Sequence, residues 1–146
     1  MLKTLLNTDL KWASSLGLLL LRIGIASMML FGHGIPKLGR LPGILETFPD
    51  PLGVGNATSF VLAIVGEVVA PALLIVGLGT RLAAVPLLIT MVVAFVIVHA
   101  GDPYSDRELA MVYALCAVTL LFAGPGAWSL DGLIQRRRNG GATRRG

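Results

Sequence analysis

The chain has little charge and a single cysteine. Of its 146 residues, 14% are charged, whereas about 25% is usual in a soluble domain. With Cys116 as the sole thiol, an internal disulfide, a CxxC redox pair and a cysteine-rich metal site are excluded. The sequence also lacks a phosphate-binding glycine-rich loop, a GxSxG motif and a dinucleotide fingerprint. The composition therefore argues against a soluble enzyme of the common nucleotide-dependent or serine-hydrolase classes.

Apolar residues dominate what remains, at 55% of the chain with a mean hydropathy of +0.80. They form four long segments, from about Trp12 to Phe31, Ser59 to Val76, Leu82 to Ala100 and Glu108 to Ala123. Each is long enough, or nearly so, to cross about 30 Å of hydrocarbon as a helix, and none alternates as a strand would. We predict an all-α fold, an integral membrane antiparallel four-helix bundle over residues 1–134. Its first extracytoplasmic loop is long (Gly32 to Thr58), and residues 135–146 form a basic cytoplasmic tail that we expect to be disordered.

The distribution of positive charge predicts the orientation in the membrane. With both termini in the cytoplasm, the inner flanks carry eight basic residues: Lys3, Lys11, Arg81, Arg136, Arg137, Arg138, Arg144 and Arg145. The outer flanks carry three, which are Lys37, Arg40 and Arg107. This asymmetry predicts a multi-pass protein of the bacterial inner (plasma) membrane, with the lipid bilayer as its partner and no nucleic acid.

Two charged residues fall near the middle of predicted membrane helices. Arg22 lies ten residues after Trp12, and Glu67 lies fourteen residues before Arg81. An unpaired charge at mid-membrane is costly, and a guanidinium cannot lose its proton. We therefore expect an Arg22–Glu67 pair inside the bundle. Such a pair could be a structural strut that fixes helix register, or the floor of a polar pocket or proton path.

A second group of polar residues lies at the predicted outer boundary. His33 and Lys37 follow helix one, His99 ends helix three and Glu108 begins helix four. In a close bundle these four side chains could form one polar cup, although contact with water and headgroups alone would also explain them. We predict catalytic roles for His33, Glu67, His99 and Glu108, because histidines and carboxylates can relay protons. We predict substrate binding for Arg22 and Lys37.

A metal site is not predicted. The two histidines, His33 and His99, could in principle form a bis-imidazole haem site. However, the sequence has no CxxCH, no HxxxH and no third set of ligands.

Several of these residues belong to short motifs that resemble the DoxX family. The motifs are Leu21-Arg22-Ile23-Gly24, His33-Gly34 with Lys37-Leu38, Gly66-Glu67, Gly77-Leu78-Gly79-Thr80-Arg81-Leu82-Ala83-Ala84, Gly124-Pro125-Gly126 and Ser129-Leu130-Asp131. The resemblance extends from about Leu16 to Leu133. It implies a four-helix protein of the bacterial cytoplasmic membrane, in a group that includes a subunit linked to thiosulfate:quinone oxidoreduction and members of other redox complexes. It implies no catalytic residues.

These observations lead to a functional hypothesis. We expect a subunit or accessory of a quinone-linked membrane oxidoreductase system, with quinone as the cofactor to consider and a partner protein that supplies electrons. The alternative is a non-catalytic membrane scaffold or small-solute carrier. Whether the chain is itself an enzyme, and whether it forms a homo-oligomer, stays open from the sequence.

Overall fold

A computed structural model describes residues 10–142, which form five helices and no strand. The helices are α1 (Lys11–Leu38), α2 (Asn56–Val76), α3 (Thr80–Val98), α4 (Tyr104–Ala123) and α5 (Leu130–Ala142). The prediction of an all-α fold is confirmed. Three of the described helices, α1, α2 and α3, are long and apolar enough to cross a membrane. The fourth helix has 20 residues, but it carries three consecutive charged residues at 106–108.

Helices α1 to α4 pack in a ring, each against the next and α4 against α1. A three-residue turn joins α2 to α3, so these two helices are antiparallel neighbours. The core contains large side chains such as Met29, Leu74, Leu87 and Leu120. Buried alanines, among them Ala84 and Ala117, permit close and extensive packing between α3 and α4.

Each of α1, α2 and α3 contains one π-helical turn of five residues. The turns are Leu30–Gly34, Val65–Val69 and Ala94–Val98. Each is closed by a backbone hydrogen bond that spans five residues, from the N–H of Ile35, Ala70 or His99. Single π turns inside α-helices are rare and often accompany functional sites.

The connection between α2 and α3 is held by a distant residue. Gly77 ends α2 in the left-handed conformation at φ 74°, and Leu78 N–H donates to the carbonyl of Leu73. The Asp131 carboxylate then accepts hydrogen bonds from the N–H groups of Gly79 and Thr80, both at 2.8 Å. A carboxylate at this position caps the first turn of α3. The start of α5 is thereby fixed to this end of the bundle.

The sequence predicted a disordered basic tail from residue 135; in the structure residues 135–142 are helical and continue α5. Arginine and glutamine have good helix propensity, and the preceding Leu130, Leu133 and Ile134 lie on one helical face. Residues 143–146 of that tail lie outside the described residues.

Candidate functional site

A cavity of about 640 Å³ lies inside one end of the bundle. All four helices α1–α4 contribute to its wall, and the long loop between α1 and α2 covers it with residues such as Ile44, Phe48 and Leu52. Most of the lining is apolar. Of the residues predicted for the outer polar cup, His33, Lys37 and His99 line this cavity, together with Glu67.

The most buried charge in the cavity wall is an ion pair between Lys37 and Glu67. The Lys37 ammonium donates to both carboxylate oxygens of Glu67. Glu67 is only 5% exposed and lies near the middle of α2, about 15 Å along the helix from either end. Lys37, in the last turn of α1, has 27% of its side chain exposed. The Glu67 carboxylate is therefore shielded by the protein, while the Lys37 side chain of the pair is accessible from the cavity.

A close crossing of α1 and α2 brings this pair together. A Cβ atom on Gly34 would lie 2.4 Å from the carbonyl oxygen of Glu67, so only glycine permits the observed approach. On the other side of α2, a Cβ on Gly66 would lie 2.0 Å from the Thr90 hydroxyl oxygen. The dipeptide Gly66-Glu67 thus combines a close helix contact with the buried carboxylate.

Aromatic rings complete the polar part of the wall. His33 packs edge-on against Tyr113, with 6.1 Å between ring centroids. The Lys37 ammonium also lies 5.9 Å from the ring centroid of Phe48, within cation–π range. Phe48 in turn makes an edge-to-face contact with the buried Phe60 on α2. These contacts attach the covering loop to the ion pair.

An exposed pair lies at the rim of the cavity. His99 Nδ1 lies 2.7 Å from a carboxylate oxygen of Asp102, and both side chains are more than 40% exposed. Glu108, predicted to belong to the polar cup, is exposed and does not line the cavity; Asp106 does. The reason is helical phase, since Asp106, Ala110 and Tyr113 share the inward face of α4 and Glu108 is turned away.

The covering loop is held by another carboxylate. Asp50 accepts hydrogen bonds from the Ser59 hydroxyl at 2.6 Å and from the N–H groups of Gly55 and Val54 at 2.7 and 3.0 Å. These bonds, with that from Ser59 foremost, lower the pKa of Asp50 below its usual value. The ionised carboxylate thus joins the end of the loop to the first turn of α2.

The expected Arg22–Glu67 pair is wrong. Arg22 is buried, at 1% exposed, but it lies at the opposite end of the bundle, where its Nη2 donates to the carbonyl of Trp128 at 2.9 Å. It precedes Lys37 by fifteen residues, or about 22 Å along α1. The prediction placed Arg22 at mid-membrane by counting from Trp12, whereas α1 runs on to Leu38.

Arg22 instead supports the α2–α3 turn. A Cβ atom on Gly77 would lie 1.5 Å from its Nη1, so the guanidinium fills the space beside this glycine. Burial, the largest influence, raises the pKa of nearby Asp131, but the hydrogen bonds from Thr80 and Gly79 and the charge of Arg22 outweigh it, so that this pKa is lowered. Arg22 therefore belongs to a structural assembly and does not line the cavity.

Sequence reasoning missed Tyr113 and Phe48 as cavity residues. Tyr113 could have been found from its spacing of seven residues from Asp106, which puts both on one face of α4. Phe48 lies in a proline-rich loop, and hydrophobic periodicity does not predict the course of such a loop. No group of three or more His, Cys, Asp or Glu side chains that could hold a metal ion occurs within residues 10–142.

The cavity can therefore offer a ligand three things. Its wall is mainly apolar, one side carries a cationic N–H donor and a carboxylate, and an imidazole beside Tyr113 can donate or accept a hydrogen bond. An apolar pocket with a few converging polar groups is the usual form of a small-molecule or cofactor site. Together with the apolar helices, these features define a helical membrane protein with a ligand-sized internal pocket.

Comparison with known proteins identifies the family. Residues 17–100 match the family model described as DoxX. The chain belongs to the DoxX family, as the motifs in its sequence suggested. No solved structure matches it.

Individual relatives are distant. The chain is 36% identical over 115 residues to an uncharacterized membrane protein of Mycobacterium tuberculosis, covering 62% of this chain and 69% of the relative. It is 31% identical over 131 residues to an uncharacterized protein of Haemophilus influenzae, covering 84% and 86%. It is 26% identical over 127 residues to a Bacillus subtilis protein named "Putative oxidoreductase CatD", covering 86% and 92%.

Proposed function

We propose that this protein is the membrane-embedded subunit or accessory of a quinone-linked oxidoreductase system, and that the internal cavity binds the quinone ring. The observation that carries the proposal is the cavity of about 640 Å³ with the Lys37–Glu67 pair in its apolar wall. Cofactor sites commonly have volumes of about 300–1,000 Å³. A quinone is a flat apolar ring with two carbonyl oxygens, which matches this combination of surfaces.

The side chains suggest how protons would be handled. The reduction of a quinone to a quinol takes up two electrons and two protons. The Lys37 ammonium or the His33 imidazole would donate a hydrogen bond to one carbonyl oxygen, and Glu67 would exchange protons with Lys37. His99 and Asp102, which are exposed at the rim, would connect the cavity to water. The electrons would come from a partner protein. A redox role is consistent with the name of the Bacillus subtilis relative, "Putative oxidoreductase CatD".

The proposal includes a topology. In it, α1 to α4 all cross the bacterial inner membrane, both termini are cytoplasmic, and the cavity opens toward the outer side. The excess of basic residues in the predicted inner flanks supports this orientation. Glu67 would then lie near mid-membrane, where an ionised carboxylate requires a partner such as Lys37.

Quinone binding to the intact chain tests the proposal. The purified protein is placed in lipid nanodiscs and titrated calorimetrically with decylubiquinone. We expect micromolar affinity, and a loss of about 10-fold or more for Lys37→Met, because a hydrogen bond from a charged group contributes about 1.5–3 kcal/mol. His33→Phe keeps a ring against Tyr113 but removes its N–H groups, and should weaken binding without unfolding the bundle.

Arg81→Gln is the control, because Arg81 lies at the opposite end of the bundle, and it should bind quinone normally. If the folded unmodified chain binds no quinone at micromolar concentration, the proposed function is wrong. In that case, normal folding of His33→Phe together with unfolding of the variants at Lys37 and Glu67 would favour the non-catalytic scaffold or carrier.

A further inference from the structure

Helix α5 begins at the end of the bundle that lies opposite the cavity. The N–H of Asp131 donates to the carbonyl of Gly77 at 3.0 Å, and its carboxylate caps α3. These bonds tie the start of α5 to the α2–α3 turn, at the level where the apolar helices α2 and α3 end and begin. If those helices cross a bilayer, α5 starts at its surface.

One face of α5 is apolar and uncovered. Leu130, Leu133 and Ile134 are spaced i, i+3 and i+4, which puts them on the same side of the helix, and they are 38%, 51% and 48% exposed. Trp128, just before the helix, is 49% exposed. Tryptophan is enriched at membrane interfaces, because its ring prefers an apolar environment while its N–H stays hydrated.

The same segment is strongly basic. Arg136, Arg137 and Arg138 follow the apolar residues, and all three are exposed. Arg138 and Gln135 also line a pocket of about 600 Å³ together with Arg81 from the first turn of α3. The two guanidiniums of this pocket make no ion pair with a carboxylate among residues 10–139.

One carboxylate, that of Asp131, lies in this pocket. Its oxygens already accept hydrogen bonds from Gly79 and Thr80, and it interacts electrostatically with the buried Arg22. Its negative charge is therefore largely compensated within the protein. Arg81 Nη2 also donates to the carbonyl of Phe122 at 3.2 Å, a neutral acceptor that leaves its charge in place. The pocket therefore retains a net positive charge from Arg81 and Arg138, beside the apolar face of α5.

We propose that α5 lies along the membrane surface and that Arg81 and Arg138 bind the phosphate of an anionic phospholipid headgroup. Bidentate guanidinium–phosphate contacts suit such a headgroup. The apolar side chains Trp128, Leu133 and Ile134 enter the interface, as in other interfacial amphipathic helices. The occupant is an anionic lipid rather than a protein, because the basic and apolar surfaces adjoin the membrane-embedded helices themselves.

Bromolipid quenching of Trp128 fluorescence tests this proposal in the full chain. The sequence contains two tryptophans, so Trp12→Phe leaves Trp128 as the only reporter. The protein is reconstituted in phosphatidylcholine with a minor share of phosphatidylglycerol, and either lipid is brominated close to the headgroup. We expect brominated phosphatidylglycerol to quench at least ~2-fold more than its mole fraction accounts for, since each arginine near the surface favours anionic lipid roughly 5-fold.

The variant Arg81→Gln/Arg138→Gln should remove this enrichment. High salt should reduce the enrichment in the protein that keeps both arginines. Arg40→Gln, which removes an exposed cation at the cavity end, should leave it intact. The proposal is overturned if both lipids quench in proportion to their amounts, if neither quenches Trp128, or if the double variant retains the enrichment. Loss of enrichment on adding inorganic phosphate at constant ionic strength would also overturn it, by showing a site for free phosphate.

Discussion

Replacement of Lys37 by methionine should leave the carboxylate of Glu67 unpaired in a nearly closed environment. Glu67 is 5% exposed and accepts hydrogen bonds from Lys37 on both oxygens. Removal of one partner from a fully buried ion pair costs about 3–5 kcal/mol. Because 27% of the Lys37 side chain is exposed, we expect a smaller loss, of about 2–3 kcal/mol in the free energy of unfolding.

A double-mutant cycle separates the pair from the effects of each side chain alone. Lys37→Met, Glu67→Gln and their combination are compared by equilibrium unfolding in mixed micelles of increasing SDS content, followed by far-UV circular dichroism. The combined variant should be more stable than the sum of the single losses predicts, with a coupling energy of about 2 kcal/mol.

Arg40→Met is the matched control for this cycle. Arg40 lines the same cavity three residues further along, is exposed, and has no ion pair within the described part of the chain. Its replacement should change stability by no more than about 0.5 kcal/mol. A coupling energy below about 0.5 kcal/mol between positions 37 and 67 would refute the view that this pair stabilises the bundle.

Three further predictions concern glycines and a loop carboxylate. In the same SDS titration, Gly77→Ala should destabilise the protein by about 2 kcal/mol more than Gly79→Ala. Both glycines have a positive φ, but only Gly77 lies against a buried guanidinium. Equal losses would contradict this packing. Gly34→Ala should also destabilise, whereas Gly32→Ala, with open space around it, should be neutral or stabilise by up to about 1 kcal/mol; a stable Gly34→Ala would mean that α1 and α2 do not cross so closely. The lowered pKa of Asp50 means that its bonds to the loop are complete above pH about 4 and are lost as the pH falls through its folded-state pKa. Hydrogen exchange of the loop amides should therefore accelerate in acid, and Asp50→Asn should show fast exchange already at neutral pH.

The sequence was sufficient to predict the helices but not their depth. Long apolar runs identify a membrane helix because hydrocarbon demands about 20 apolar residues, and each predicted segment overlaps one of α1 to α4 over most of its length. An apolar run does not indicate at which residue the bilayer begins. The helix α1 has 28 residues, whereas about 20 are enough to cross the hydrocarbon. Counting from Trp12 therefore displaced Arg22 relative to Glu67 and paired the carboxylate with the wrong cation.

The sequence predicted most of the residues that line the candidate site, but not the contacts between them. His33, Lys37, Glu67 and His99 all line the cavity, since polar residues at the ends or centres of apolar helices tend to face the interior. Glu108 does not, because the start of α4 at Tyr104 sets a helical phase that turns it outward. The Lys37–Glu67 contact depends on the crossing of α1 and α2 at Gly34, a tertiary feature that residue spacing along one helix does not report.

The three π-helical turns have a consequence for evolution by insertion and deletion. A turn closed across five residues holds one residue more than an α-helical turn in the same place. Loss of one residue within Leu30–Gly34, for instance, would restore α-helical geometry while both flanking stretches kept their orientation. The walls of the cavity can thus shed a single residue, and so reposition His33 or Glu67, while the stretches on either side of the turn keep their faces toward the neighbouring helices.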